Sequence, residues 1–426
     1  MTMPKRNDKL LLMGCSFGTQ DALNYAKSQG IYTIVTDHLP PEQQPLKLQA
    51  DAYWMCDVKD LDTLEQNCRR AGVTGIFGGT SEFCLDYTKA LCKRLGLSFY
   101  ASEEGWAVSR DKELFKQHCS ACGLDVPRQY EISADGPLPA DLRWPVIVKP
   151  VDACAQLGIT VCHHPAELRE GYSRAMAHSV SGRVIVEDYI QGDELCSMYL
   201  LQDGKPILLE LLDCVHTPVE QTDRFAYISF QSRFTAEYQQ QIADRVKTLF
   251  ARLGCKEGPA YLQMIRRNGV YYFLELGYRL NSVPSWPVEY ALHGIDVVKH
   301  TVDLALGCHH TVRPVAPSHR LGAVYFVWAK PGIIQKIEGP EAFQGNDSVR
   351  FLYQTYDVGN QIPQEMSMGR ILFRIALFAV SPQEMRAHLM AIRCKLHVYD
   401  TAGLDMLYHL ADLDTVCPDK GEGGLL

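Results

Sequence analysis

Two oxygen-bearing side chains are predicted to face each other across a β-hairpin in the second half of the chain. Its turn is Asn268-Gly269, between two apolar runs, and this dipeptide is favoured where both central residues need positive φ. Gln263 and Glu275 stand on either side of it, and such hard oxygen donors suit a partly hydrated Mg²⁺ that bridges phosphates. Arg279 shares the face of Glu275 and is suited to pairing with an anion. The plainer interpretation is a half-buried hairpin with exposed polar residues.

Charged residues also end two apolar strands upstream of the hairpin. Lys149 lies near the end of the run 145–150, and Glu187 lies in the run 184–190. An ammonium group at the end of a buried strand must find an anion or water. Lys112 lies on a helix predicted over 106–122, where Lys116 is a rival for the same role. Each of these residues could instead be an ordinary solvated charge.

Composition limits the class of protein. A chain of 426 residues suggests about two to four domains. The hydrophobic share of 46% and the charged share of 22% are typical of a soluble globular protein. A formal net charge of −8 argues against a nucleic-acid surface built on bulk positive charge. No apolar stretch is long enough for a membrane span or a signal peptide, so we expect a cytoplasmic protein.

The 15 cysteines are scattered along the chain. Cys119 and Cys122 form a lone C-x-x-C pair without a second pair at zinc spacing, so reduced cysteines are the expectation.

The first ~100 residues alternate strand and helix patterns, which predicts a parallel sheet that ends with a strand at 97–100. Gly14 and Gly18 followed by Asp37 suggest a dinucleotide site. The full Gly-x-Gly-x-x-Gly pattern is absent, however, so a tight turn between a strand and a helix is the better interpretation. Further along, His216 and Tyr227 are predicted to lie in an irregular stretch. A strand over 371–380 precedes a helix capped at Ser381.

The order of these pieces resembles the ATP-grasp superfamily, and the resemblance covers nearly the whole chain. The pattern is most similar to the carboxylate–amine ligases, among them the L-amino-acid ligases, with the carbamoyl-phosphate synthetase large subunit as a relative. The resemblance implies an α/β fold with a Rossmann-like pre-ATP-grasp domain over 1–102. It also implies a two-lobed α+β ATP-grasp domain over 103–315, whose mobile lobe spans about 115–190. A small C-terminal α+β domain with a frayed tail would occupy 316–426.

The resemblance also implies a role for each candidate residue. Lys112 and Lys149 would contact the phosphates of ATP. Glu187 would lie at the adenine, next to hinge contacts from the backbone of 188–190, which is Asp188, Tyr189 and Ile190. Glu194 would hold the ribose hydroxyls, and its alternative is a solvated turn. Gln263 and Glu275 would bind Mg²⁺ (or Mn²⁺), and Arg279 would be catalytic, steadying an acyl phosphate.

The activity implied is ADP-forming ligation of a small-molecule carboxylate to an amine, through an acyl phosphate. The family analogy also implies a homodimer. Two departures leave alternatives open. The loop 151–158 keeps only Gly158 of the glycines usual there, with Leu157 where a lysine is common, and Gly277 stands where an asparagine is frequent. The alternatives are carbamoyl- or carboxy-phosphate chemistry, or a nucleotide-binding pseudo-ligase.

Overall fold

The computed structural model describes residues 7–133, 136–152, 157–220, 222–313 and 320–408. The first unit is a parallel sheet with helices, as predicted. Its elements are β1 (Lys9–Met13), α1 (Thr19–Ser28), β2 (Tyr32–Asp37), β3 (Ala52–Met55), α2 (Leu61–Ala71), β4 (Gly75–Phe77) and α3 (Glu82–Leu95). The strand order is β3-β2-β1-β4. Gly14 and Gly18 have φ of 78° and 80°, so the β1–α1 connection is the tight turn that the sequence predicts.

A smaller sheet follows two short helices. The elements are α4 (Glu103–Ser109), α5 (Lys112–Ala121), β5 (Gln129–Tyr130), β6 (Val146–Pro150), β7 (Thr160–Cys162), α6 (Pro165–His178) and β8 (Val184–Asp188), and the strand order is β5-β8-β6-β7. The single helix predicted over 106–122 is wrong. The Asp111 carboxylate accepts hydrogen bonds from the amides of Glu113 and Leu114 and so starts a second helix. This cap places Lys112 at the first position of α5.

The largest sheet carries most of the candidate site. The elements of this region are β9 (Asp193–Gln202), β10 (Lys205–Val219), β11 (Thr222–Ser229), α7 (Thr235–Gln241), α8 (Ala243–Arg252), β12 (Gly258–Arg267), β13 (Val270–Gly277), α9 (Trp286–His293), α10 (Val297–Ala305), β14 (Leu321–Trp328), β15 (Gly332–Glu338), β16 (Val349–Gln354), β17 (Gln361–Ile362), β18 (Ile371–Ala379), α11 (Pro382–Lys395) and β19 (His397–Asp400). Eight of these strands pair in the order β13-β12-β9-β10-β11-β14-β18-β16.

The structure corrects the expectation for the segment around His216 and Tyr227 and confirms the expected strand over 371–380. The irregular stretch predicted around His216 and Tyr227 is wrong, because both residues lie in paired strands, β10 and β11. The strand over 371–380 is confirmed as β18, and the Ser381 hydroxyl accepts a hydrogen bond from the Glu384 amide as the predicted cap. The predicted boundary near residue 315 and the predicted frayed tail lie outside the described residues.

Polar contacts and aromatic packing join the first unit to the large sheet and its helices. The Tyr25 hydroxyl donates to Asp303 at 2.7 Å, and the Trp286 indole donates to Asp21 at 2.8 Å. The strand predicted over 97–100 is wrong. This segment does not extend the sheet, and the rings of its Phe99 and Tyr100 stack on each other. Within the described residues, every helix is too short or too polar to cross a membrane.

Candidate active site

The predicted hairpin forms and aligns its two oxygen-bearing side chains. Asn268 and Gly269 have φ of 52° and 80°, the positive values that such a turn needs. Gln263 lies directly opposite Glu275 in the β12–β13 register, so both side chains lie on one face. On the neighbouring strand β9, Glu194 accepts a hydrogen bond of 2.5 Å from the Gln263 side-chain nitrogen. Two carboxylates and an amide oxygen therefore converge from three adjacent strands.

Of these oxygens, those of Gln263 and Glu275 fit a magnesium ion bound together with phosphates. The Gln263 nitrogen is used by Glu194, which leaves the amide oxygen as a donor, and the Glu275 side chain is 35% exposed. Among the described residues, His, Cys, Asp and Glu side chains form no group of three or more with metal-binding geometry. One or two carboxylates completed by water and phosphate oxygens are the usual protein share of a Mg²⁺ shell.

Glu194 has a second neighbour that the sequence did not place. The His216 Nε2 atom lies 3.0 Å from a Glu194 carboxylate oxygen, and the His216 ring packs 4.4 Å from the ring of Phe225. The alternative interpretation of Glu194 as a solvated turn is wrong, because the residue lies inside β9.

Glu187 is the centre of a buried cluster of three charges. Its carboxylate is 1% exposed and contacts the ammonium groups of both Lys116 and Lys149. Two positive charges and one negative charge leave one positive charge in excess. Burial, together with the nearby charge of Lys112, lowers the pKa of Lys149 to about 8. Burial and the charge of Lys149 also hold the pKa of Lys116 well below its ordinary value. An approaching anion would therefore be stabilised here.

The other lysine of α5, Lys112, contacts the hairpin. Its ammonium group is 3.7 Å from the Glu275 carboxylate. The structure therefore divides the two lysines of α5 between partners: Lys116 belongs to Glu187, and Lys112 belongs to the hairpin. The candidate phosphate-binding lysines and the candidate metal ligands thus lie within one cluster.

The predicted hinge segment follows β8 directly. The Asp188 amide donates to the Arg128 carbonyl at 2.9 Å, and the Tyr189 amide donates to the Pro145 carbonyl at 3.2 Å. Because these two amides already donate within the protein, a ligand at this segment would be contacted by its other backbone groups, including those of Ile190.

Arg279 is tied to the first unit instead of standing alone. It donates from Nε and Nη2 to one Glu82 oxygen at 3.1 and 2.9 Å, and Arg110 contacts the other Glu82 oxygen. Burial by itself raises the pKa of Glu82, but the charges of Arg279 and Arg110 outweigh it and hold that pKa below its ordinary value. The first unit thereby helps to position the candidate catalytic arginine.

The glycine at position 277 has a steric explanation. A Cβ atom there would lie 2.1 Å from the ring of Tyr261, which is its cross-strand partner. The same ring lies 5.3 Å below the guanidinium of Arg279. Glycine therefore lets the Tyr261 ring lie flat under Arg279, where an asparagine side chain would displace it.

Sequence reasoning missed part of this arrangement. The sequence indicates Lys116 only as a rival of Lys112, and it does not single out Arg110. Their signals were the i,i+4 spacing of the two lysines and the proximity of Arg110 to the cap at Asp111.

The fold and the central region identify the class of domain. Residues 142–282 match the family model of the ATP-grasp domain, and they include β12, β13 and the segment that carries Lys149 and Glu187. Together with the arrangement of sheets, this match shows that residues 142–282 are similar to ATP-grasp domains.

Individual relatives are more distant. The chain is 26% identical over 186 residues to a D-alanine–D-alanine ligase of Fusobacterium nucleatum, a match that covers 42% of this chain and 58% of that ligase. The crystal structure of an L-amino acid ligase from Bacillus licheniformis aligns with a TM-score of 0.76 and 19% identity, over 93% of this chain and 100% of that one. Phosphoribosylglycinamide synthetase from Anaerococcus prevotii aligns with a TM-score of 0.73 and 18% identity, over the same shares. These structural matches confirm the predicted fold class.

Proposed function

We propose that this protein is an ATP-dependent ligase that activates a carboxylate as an acyl phosphate and joins it to an amine. One observation carries the proposal: the opposed Gln263 and Glu275 oxygens lie beside Lys112, next to a buried lysine pair with excess positive charge. A magnesium–triphosphate group needs hard oxygen donors and cations at one place. The relatives named above are mostly ligases, which supports the same conclusion.

The proposed reaction has two steps. A substrate carboxylate attacks the γ-phosphorus of ATP, which releases ADP and forms the acyl phosphate. The amine then attacks the acyl carbon, phosphate leaves, and the nitrogen loses a proton. A bound Mg²⁺ would neutralise phosphate charge in the first step. The protein itself would position the reactants and exclude water.

The individual roles remain proposals. Lys112 and Lys149 would bind phosphate oxygens, and Gln263 and Glu275 would hold the metal ion. Arg279 would steady the transferring oxygens while still paired with Glu82. The remaining contacts are assigned to the nucleoside: Glu194 with the ribose, and 188–190 with the adenine. The Glu187 side chain is already paired with two lysines, so its proposed role is to orient Lys149 beside the adenine site.

A second candidate function is nucleotide binding without turnover. The observation that favours it is the engagement of Lys149 and Lys116 by Glu187, which holds both ammonium groups inside the lobe. Leu157, where a lysine is common in the family, is 41% exposed and offers no replacement charge.

The test is release of ADP and phosphate with MgATP across amino acids, singly and in pairs, and with bicarbonate. Turnover that needs one carboxylate and one amine supports ligation, whereas bicarbonate-dependent turnover would favour carboxy-phosphate chemistry. Bound ATP without hydrolysis would favour the second candidate. Glu275→Gln should abolish Mg-dependent turnover, and Glu170→Gln, a solvent-exposed change on α6, is the matched control. Full activity of Glu275→Gln would contradict the metal assignment.

Three further expectations stay predictions: the domain division at 102 and 315, the homodimer and the cytoplasmic location. Light scattering of the purified chain measures the oligomeric state, and a dimer is the expected result.

A further inference from the structure

Arg374 is a buried guanidinium that has no carboxylate partner among the described residues. It lies in β18 and is 5% exposed. Its Nη1 atom donates to the Thr355 hydroxyl at 3.3 Å, and its Nε atom is buried without a hydrogen-bond partner. The other deeply buried arginines differ, since Arg279 pairs with Glu82 and Arg370 pairs with Glu220.

The charge of Arg374 persists in this setting. Burial lowers its pKa to about 10, with the nearby Tyr353 as the other influence, so the group is still protonated at neutral pH. A buried cation without a counter-ion is unfavourable. A bound anion would supply the missing counter-charge.

Two aromatic rings lie beside the guanidinium of Arg374. Its guanidinium carbon lies 4.7 Å from the ring centre of Phe17 and 5.9 Å from that of Tyr353. The rings of Phe17 and Tyr353 meet edge to face at 4.6 Å, and Tyr353 is 43% exposed, so this aromatic pair reaches from Arg374 to solvent. Phe17 belongs to the β1–α1 turn, where helix α1 starts at Gly18 without a side-chain cap. The free amides of a helix start favour an anion.

A row of side chains runs from Arg374 to Glu194, which accepts a hydrogen bond from the candidate metal ligand Gln263. His216 contacts Glu194, and its partner Phe225 packs 6.2 Å from Phe326. Phe326 in turn lies directly opposite Arg374 in the β14–β18 register. Directly opposed residues share a face of a sheet, so Arg374 faces the same side as the proposed nucleotide site.

The β1–α1 turn is a second structural link between Arg279 and Arg374. A Cβ atom at Gly18 would lie 3.8 Å from the Leu280 side chain, and Leu280 follows Arg279 in the chain. Phe17, the residue before Gly18, contacts Arg374. The two arginines therefore flank one turn, with Arg279 paired and Arg374 unpaired.

We propose that Arg374 binds the carboxylate of the amine-bearing substrate, which would therefore be an amino acid. The inference rests on the proposed ligase function. The activated carboxylate becomes an uncharged amide, so it needs a cation only during transfer. The carboxylate of the amine substrate stays ionised from binding to product, and a fixed guanidinium with its planar pair of donors matches it.

The test compares the wild type with Arg374→Gln and Arg374→Lys. Arg350→Gln is the matched control, because Arg350 lies on the neighbouring strand β16 with a side chain that is 47% exposed. Binding of each amino acid and of its carboxamide is measured by thermal shift without nucleotide, and KM is measured in the ADP-release assay. We expect Arg374→Gln to raise the Kd and KM for the amino acid roughly 10- to 100-fold, to leave the carboxamide unaffected and to change kcat less. Arg374→Lys should lie between, and Arg350→Gln should behave as wild type.

Several outcomes would overturn the inference. One is equal use of the acid and the carboxamide by the wild type, which needs no variant and so remains decisive if Arg374→Gln does not fold. Another is unchanged amino-acid affinity in a folded Arg374→Gln. A third is stabilisation by inorganic phosphate but not by amino acids, which would replace the carboxylate by a phosphate. Arg374-dependent amino-acid binding in a protein that hydrolyses no ATP would instead contradict the proposed function and leave the carboxylate site standing.

Discussion

Glu187→Gln is the change that most directly tests the buried cluster beside the candidate phosphate site. Glu187 is 1% exposed, and its carboxylate contacts both Lys116 and Lys149. Glutamine keeps the shape but removes the charge, which leaves two buried ammonium groups without a counter-ion. Breaking a buried pair by removing one partner costs about 3–5 kcal/mol. We expect the free energy of unfolding to fall by about that amount.

Lys116→Met provides the comparison. It removes one of two positive charges, leaves Glu187 paired with Lys149, and fills the same space with an apolar chain. Its cost should stay within about 1.5 kcal/mol. The double variant should be more stable than Glu187→Gln alone, because only one unpaired ammonium group remains.

The assay is urea unfolding of all three variants, with tryptophan fluorescence as the signal that monitors unfolding. The order of stability is the sensitive quantity, since the three variants share the same unfolded chain apart from these side chains. Two results would refute the reasoning: Glu187→Gln as stable as wild type, or Lys116→Met as unstable as Glu187→Gln. Either would mean that the three charges are solvated or paired elsewhere.

Three further predictions follow from the site. Lys112→Met should raise the KM for ATP at least roughly 10-fold with little change in stability, because this lysine faces Glu275 at 3.7 Å, and an unchanged KM would contradict its phosphate role. Glu82→Gln should destabilise the protein at pH 7, and the gap to wild type should close as pH falls. The reason is that the folded protein lowers the pKa of the Glu82 carboxyl. The ionised carboxyl therefore stabilises the folded state above its unfolded pKa of about 4.3, and this stabilisation is lost as the carboxyl is protonated. A difference in stability between variant and wild type that is equal at pH 7 and pH 3.5 would exclude the pairing. Gly277→Ala should cost about 1–3 kcal/mol, since its Cβ would lie 2.1 Å from the Tyr261 ring, and thermal unfolding of the variant, with Tyr261→Leu as relief, measures it.

Local patterns predicted the parts of the structure that depend on local physics. The Asn268-Gly269 turn was predictable because few residues tolerate positive φ at both positions. Counting back from the turn alone would place Gln263 opposite Leu274, and a register shift between Gln263 and Met264 brings it opposite Glu275 instead. The break between α4 and α5 was missed, because the helical pattern continues through Arg110 while the Asp111 cap acts against it.

Contacts between distant segments were not predictable from spacing. Glu187 lies 71 positions from Lys116, and Glu82 lies 197 positions from Arg279. Nothing in the local pattern of a strand-end acid says whether its partner is adenine, lysine or water. The fold class was predictable, whereas the roles of the site residues stay predictions until the ATP assays are done.

The position of Glu82 gives the first unit a part in the proposed chemistry. The charge of a free Arg279 would be screened by solvent, and its side chain would sample many rotamers. The paired side chain is instead held by Glu82 on one edge and by the Tyr261 ring on its face. Glu82 starts α3 in the first unit, and Arg279 follows β13 in the large sheet. A displacement of one unit against the other would therefore move Arg279 relative to Glu275, four residues before it. The arrangement of the two units then sets the distance between the candidate metal ligand and the candidate catalytic arginine.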